Sequence, residues 1–229
     1  MAKKISRKEL LKSPDEFLSF SEKAALFVGE HLRLFKAAGY VIAAGLLIYL
    51  GITTYLNYVN KKGQTAYNTA YYEVVKSLNQ RPEKRDLKKP EELFKGVIEN
   101  YSLSRVSRLA SPQVAYLKFQ EKKYDEAISL YSAFLKEAPD TTYQSLARMA
   151  MAACYEEKGD LAKSIEVLNE ITAGPSSPFK EQAMLSLART YRLSNQNKKA
   201  EGILKEFVDT FQTSPFLPVA KGYLAEINF

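Results

Sequence analysis

The sequence predicts an all-α protein: a single N-terminal transmembrane helix, then an α-solenoid of about four helix hairpins closed by a C-terminal capping helix. Three observations carry this prediction. Residues 37–60 are uncharged throughout; beyond them apolar side chains recur at helical spacing and never with a period of two; and that helical pattern itself returns every 36 or 37 residues.

Residues 1–36 form a basic tail with eight Lys/Arg (Lys3, Lys4, Arg7, Lys8, Lys12, Lys23, Arg33 and Lys36). Within it Ser13-Pro14-Asp15-Glu16 supplies a cap residue, a proline at the first helical position and a Glu three after the cap, which marks a helix start. From there Phe17, Phe20, Ala24, Phe27, Val28, Leu32 and Phe35 share one face, while Asp15, Ser19, Glu22, Lys23, Glu30 and Arg33 lie opposite. An amphipathic helix over about 14–36 is expected. It has three readings: a helix on the membrane surface, a docking element for a partner's cytosolic face, or a stem continuous with the membrane helix.

The uncharged run AAGYVIAAGLLIYLGITTYLNYVN follows Lys36 and ends at Lys61-Lys62. At 1.5 Å per residue it is roughly 36 Å long, enough to cross a hydrocarbon core of about 30 Å with some tilt. Tyr40, Tyr55 and Tyr58 fall near its ends, where amphipathic rings prefer the interface. The run is longer than the apolar core of a signal peptide, begins far from the first residue and is followed by no small-x-small cleavage site, so it reads as an uncleaved anchor. Lys/Arg on short tails are retained in the cytoplasm, which places the tail inside and residues 61–229 outside. Lys61 and Lys62 weigh against that orientation, and a cytosol-facing domain is the competing reading.

Residues 61–229 carry 25 Lys/Arg and 21 Asp/Glu, so the domain contributes +4 of the net +7 and the tail +3. A mild excess spread over 169 residues is not the clustered basic face of a nucleic-acid binder. The single cysteine, Cys154, lies in the apolar helical stretch MAMAACY and is expected to be buried; no intrachain disulfide framework is possible.

The repeat is read from YDEAISLYSAFLKEAPDTT (124–142), LAKSIEVLNEITAGPSS (161–177) and NKKAEGILKEFVDTFQTSP (197–215). Each places a small residue (Ala127, Ser164, Ala200) three positions after its start, and Tyr131, Leu168 and Leu204 share one phase at intervals of 37 and 36 residues. Phe94, in PEELFKGVIENYS, falls 37 residues before Tyr131. Each copy follows another helical segment, in which Ala152 and Tyr155 match Ala188 and Tyr191. Hairpins are expected at about 64–101, 105–138, 143–173 and 180–211, with a cap near 216–227. Pro139, Gly174-Pro175, Pro178, Pro215 and Pro218 mark the joints. Residues 80–89 form a polar, basic loop that is either simply solvated or touches acidic lipid headgroups.

Catalytic chemistry finds no anchor. His31 is the only histidine and sits in the tail, so zinc and Ser-His-Asp arrangements have no ligand in the domain; there is no phosphate-binding glycine loop and no Gly-x-Ser-x-Gly. No catalytic, cofactor-binding or metal-binding residue is assigned, and an enzyme is not expected.

These residues resemble the tetratricopeptide repeat family. Ala152, Tyr155, Gly159, Asp160, Ser164 and Ile165 match the family's pattern in one unit, and Tyr124, Ala127, Tyr131 and Pro139 in the unit before it. The pattern departs at Lys118, where a tyrosine is expected, at Pro90, where the small residue is expected, and in lacking the large aromatic that opens the first helix. The resemblance implies a concave groove lined by the first helix of each hairpin. Carried over position by position, its groove residues are Leu109, Tyr116, Phe119, Met149, Ala153, Glu156, Leu185, Arg189 and Arg192, with the two arginines free to hold a carboxylate. Cytosolic tail, one anchor and an external repeat stack together resemble the bacterial inner-membrane ancillary subunits of the Sec translocon. That implies translocon subunits and unfolded or extended secreted chains as partners, passed on to periplasmic chaperones, with the bilayer contacted through 37–60. The alternative is a scaffold recruiting one folded partner in envelope or cell-wall assembly.

Overall fold

The computed structural model describes residues 16–138, 140–174 and 177–227. The predicted cap at Ser13-Pro14-Asp15 and the joint prolines Pro139 and Pro175 lie outside them. Ten α-helices and no strand occur among the described residues. Residue contacts divide the chain into two units between Tyr55 and Leu56.

The first unit holds helix α1 (Glu16–Glu30) and the start of α2 (Leu32–Leu78). The amphipathic helix expected over 14–36 is thus two elements meeting in a turn at His31, whose Nδ1 hydrogen-bonds the Phe27 carbonyl at 3.0 Å. Phe27 stacks on His31 and meets Phe35 edge-on at 6.2 Å. Phe20, Phe27, Val28, Leu32 and Phe35 are exposed, as are Val41, Leu47 and Ile48 in the uncharged run. α2 is long and apolar enough to cross a membrane, and its most apolar stretch is exposed among the described residues.

The second unit opens with the remainder of α2. The sequence reading ended the anchor at 60 and began a hairpin near 64, but no helix boundary separates them. Lys61-Lys62-Gly63 contains no strong breaker, since one glycine costs a helix only about 1 kcal/mol. That glycine has a packing reason. A Cβ at Gly63 would come within 2.5 Å of Ser104 Oγ and 3.2 Å of Tyr101 Cβ, so the close approach of the 101–106 turn at this point depends on the missing side chain. One turn earlier, Asn60 Oδ1 accepts a hydrogen bond from Arg105 N at 2.8 Å.

After a 3-10 turn (Pro82–Lys84) the chain continues through α3 (Lys88–Asn100), α4 (Ser107–Gln120), α5 (Tyr124–Glu137), α6 (Thr141–Glu157), α7 (Leu161–Ala173), α8 (Lys180–Leu193), α9 (Asn197–Thr210) and α10 (Leu217–Ile227). From α3 onward each helix packs on the next, which is the hairpin stack and cap that the repeat predicts. The phase-matched residues Phe94, Tyr131, Leu168 and Leu204 are all buried, together with Ala127, Ser164 and Ala200 of the same helices. Four apolar clusters form a continuous series of cores along the stack. Cys154 is fully buried in the second of these, and burial pushes its thiol up to about 11.

The hairpin turns share one geometry. Lys122, Gly159 and Asn195, 37 and 36 residues apart, have φ of 61°, 79° and 58°. At each, the left-handed residue's N–H donates to the carbonyl three residues back and the next N–H to the carbonyl five back: Lys122 to Phe119 and Lys123 to Lys118, Gly159 to Glu156 and Asp160 to Tyr155, Asn195 to Arg192 and Gln196 to Tyr191. This is the Schellman closure of a helix end. Asp160 then caps α7 by accepting from Lys163 N, and Asp140 caps α6 by accepting from Thr142 N and Tyr143 N.

Candidate partner-binding groove

The first helices of successive hairpins, α2, α4 and α6, border a concavity of about 580 Å³. Tyr67, Tyr71, Val75 and Leu78 come from α2, Leu109, Gln113 and Tyr116 from α4, and Tyr143 and Leu146 from α6, while Tyr131 and Phe134 of α5 form its floor. The lining includes no Asp, Glu, Lys, Arg or His. Its rim is open: Tyr71 is 51% and Leu146 44% exposed, although both are large and apolar in most of their area. Burial pushes the Tyr67 phenol above its usual range, partly offset by its hydrogen bond with Gln113, and burial does the same to Tyr131. Both hydroxyls therefore stay protonated and neutral.

Local sequence explains the arrangement. Residues 67, 71, 75 and 78 repeat at helical spacing on one side of α2, and 109, 113 and 116 do so on α4. Pro112 stands inside α4, where it gives up a backbone hydrogen bond and presents an apolar ring to the same concavity.

A second concavity of about 550 Å³ lies between α8 and α10 and is polar. Arg189 and Arg192 line it, but both already hold carboxylates of this chain. Arg189 Nη1 is 2.6 Å from Glu156 Oε1, Arg192 Nη2 is 2.6 Å from Glu226 Oε2, and the Arg192 guanidinium lies over the Tyr223 ring at 5.1 Å. Thr190 Oγ1 also donates to Glu156 at 3.2 Å.

The nine residues read from the sequence thus separate. Leu109 and Tyr116 border the apolar concavity, and Arg189 and Arg192 the polar one. Phe119 packs against the core beside Tyr124, with ring centroids 5.6 Å apart. Met149 packs on the cluster of Ala152, Leu168 and Ile171, Leu185 on that of Met184, Leu204 and Phe207, and Ala153 is half-buried. Glu156 is an internal ion-pair partner. Tyr67, Tyr71, Val75, Leu78, Tyr143 and Leu146 border the apolar concavity without being among the residues that the repeat pattern marks. The signal existed in the helical spacing of 67, 71, 75 and 78, but the first hairpin lacks the repeat motif that would have marked these residues as a groove wall.

Among the described residues no group of His, Cys, Asp and Glu is placed to hold a metal ion. Pairing an apolar cleft with neutral hydrogen-bonding groups, the arrangement can bind but offers no nucleophile set beside a base.

The sequence pattern of the tetratricopeptide repeat-like domain matches residues 35–175, more than half of the chain. Comparison with curated protein sequences found no match. Among solved structures, a putative kinesin light chain from Podosopora anserina with nearly identical TPR-like repeats is similar at a TM-score of 0.56 and 15% identity, over 73% of this chain and 86% of that one. A single-residue variant of that protein is similar to the same degree over 85% of its chain. A tetratricopeptide repeat protein from Parabacteroides merdae has a TM-score of 0.56 and 17% identity, over 73% of this chain and 60% of its own. At these identities the likeness is one of fold. With the family match covering the apolar helix and the first hairpins, and the hairpin stack reproduced beyond it, this chain belongs to the tetratricopeptide repeat-like domain family.

Proposed function

We propose that the protein is a membrane-tethered interaction module that holds unfolded or extended polypeptide in the α2–α4–α6 groove, reversibly and without nucleotide, beside the Sec translocon on the outer face of a bacterial inner membrane. The observation that carries this reading is the uncharged, tyrosine-rich groove, whose open apolar rim offers contact area without demanding a fixed partner geometry. Tethering through residues 37–60 accounts for the long uncharged stretch of α2, whose apolar side chains Val41, Leu47 and Ile48 are exposed.

The near wall of the groove belongs to the same helix as the anchor. From Asn60, the end of the uncharged run, Tyr67 is about 10 Å and Leu78 about 27 Å along α2. Lys89, at the end of the basic stretch 80–89, is engaged by Glu73 at 3.1 Å. We read this stretch as a solvated connection rather than a lipid contact.

Photo-crosslinking in intact membranes from position 71, with mass spectrometry of what is trapped, tests the proposal. Recovery of translocon subunits together with many secreted chains supports it. A single folded partner in stoichiometric yield would replace it with the scaffold reading, and labelling of a surface cysteine only from the cytosolic side would overturn the topology.

A further inference from the structure

We propose that the groove selects its polypeptide by excluding charge: its ligand is an uncharged segment rich in aromatic and aliphatic side chains, bound without any ion pair. This rests on the reading of the groove as a polypeptide site and specifies the chemistry of its occupant.

The lining sets the rule. With no acidic or basic side chain among the residues bordering the 580 Å³ concavity, a charged ligand side chain entering it would lose water and find no counter-charge. The polar capacity that does exist is neutral, namely the hydroxyls of Tyr67, Tyr71, Tyr116 and Tyr143 and the Gln113 amide. Such groups suit a ligand's backbone amides, which need hydrogen bonds and carry no charge. The volume lies within the range of about 300–1,000 Å³ common to ligand sites, room for a few large side chains rather than a folded surface.

The arginines do not reverse the rule. A ligand carboxylate reaching Arg189 or Arg192 must displace Glu156 or Glu226, each held at 2.6 Å. Displacing Glu156, whose side chain is only 12% exposed, would also strip it of the hydrogen bond from Thr190 and leave a carboxylate unpaired. The groove is therefore distinct from a clamp for acidic chain ends. Its complementarity to the ligand is that of neutral for neutral, and its binding is expected to be insensitive to salt, because no exposed ion pair forms.

The test uses the full-length chain in nanodiscs and short peptides labelled at the N-terminus with an uncharged fluorophore and read by anisotropy. One peptide is neutral and rich in Leu, Phe and Tyr; two others carry central Asp or Lys substitutions; each is made with a free and an amidated C-terminus. The neutral peptide is expected to bind, the central charges to weaken it about tenfold or more, and amidation and added salt to change affinity less than about twofold. Y71S and L146S, both at the exposed rim, are expected to weaken binding with the helical circular-dichroism signal intact, and R189Q to leave it unchanged. Equal binding of neutral and charged peptides, or loss of binding on amidation, would overturn charge exclusion while leaving polypeptide binding in place. Binding of none of the peptides would overturn both.

Discussion

Lys118 Nζ lies 2.9 Å from Glu91 Oε2, joining α4 to α3 through two side chains that are only 12% and 8% exposed. Lys95 reaches the other Glu91 oxygen at 2.7 Å, and Lys118 also faces Glu121 and Glu126 at 3.6 and 3.5 Å. Position 118 is where later hairpins carry Tyr155 and Tyr191. In those hairpins a lysine eight residues on lies over the ring, Lys163 at 5.6 Å and Lys199 at 5.5 Å. In the second hairpin the same two positions hold Lys118 and Glu126. The departure from the family pattern is thus an exchange of a cation–ring pair for an ion pair in one register.

Removing one partner strands the other. Lys118→Met is expected to destabilise the domain by about 3 kcal/mol, because Glu91 keeps only the more exposed Lys95. Adding Glu91→Gln should recover a large part of that loss. Urea denaturation of the two single variants and the double variant measures the coupling; strictly additive losses would show that the pair is not coupled.

The pair also sets an acid limit. Burial works to raise the Glu91 carboxyl, but hydrogen bonds and charge from Lys95 and Lys118 outweigh it and hold the group below its ordinary 4.5. A native value below the unfolded one means that the unfolded chain takes the proton more readily. The resulting stabilisation is complete above 4.5 and is lost as pH falls through the native value. The melting temperature of the wild type should therefore fall more steeply than that of Glu91→Gln between about pH 5 and about pH 3. Parallel curves would refute the assignment.

Left-handed backbone at the hairpin turns fixes the sign of two substitutions and makes a third nearly neutral. Lys122→Gly, at φ 61°, should stabilise the domain by about 1 kcal/mol, and Gly159→Ala, at φ 79°, should cost about as much. Asn195→Gly should change little, since asparagine tolerates this region. In a domain of this size each kcal/mol appears as about 2–4 °C in thermal melts, so opposite shifts for Lys122→Gly and Gly159→Ala are measurable.

Ser164 Oγ is fully buried against its neighbours and has no hydrogen-bond partner. Ser164→Ala, which matches Ala127 and Ala200 of the flanking hairpins, should raise stability by about 1 kcal/mol by removing an unsatisfied hydroxyl. A loss of similar size in the denaturation midpoint would show that the hydroxyl is satisfied.

Cys154 should be inert in the folded protein. With its thiol pushed up to about 11 by burial and its side chain inaccessible, maleimide labelling near neutral pH is expected to follow unfolding and to accelerate with urea. Labelling of the native chain at the rate of a free thiol would contradict this.

The 36- and 37-residue spacing of Phe94, Tyr131, Leu168 and Leu204 was enough to place the hairpins and their buried seam, because a helix packing on its neighbours must repeat its apolar phase. The continuity of α2 was less legible. Uncharged and charged segments differ in solvent preference, and the chemical boundary at Lys61 looks like a structural one, yet both segments are compatible with the same helix. Of the groove, Leu109 and Tyr116 were legible from their phase on α4, whereas Phe119 faces the core beside Tyr124 and the Tyr67–Leu78 wall carried no motif.

By itself the sequence determined the all-helical class, the apolar segment, the repeat length and the burial of Cys154, since each follows from periodicity or composition along one stretch of chain. Only the tertiary structure decided that Gly63 admits the 101–106 turn, that Arg189 and Arg192 are taken by Glu156 and Glu226, and that Lys118 answers Glu91. Those pairings join residues 27 to 41 positions apart, and the distance that makes a charge free or spent is fixed by how one hairpin settles on the next.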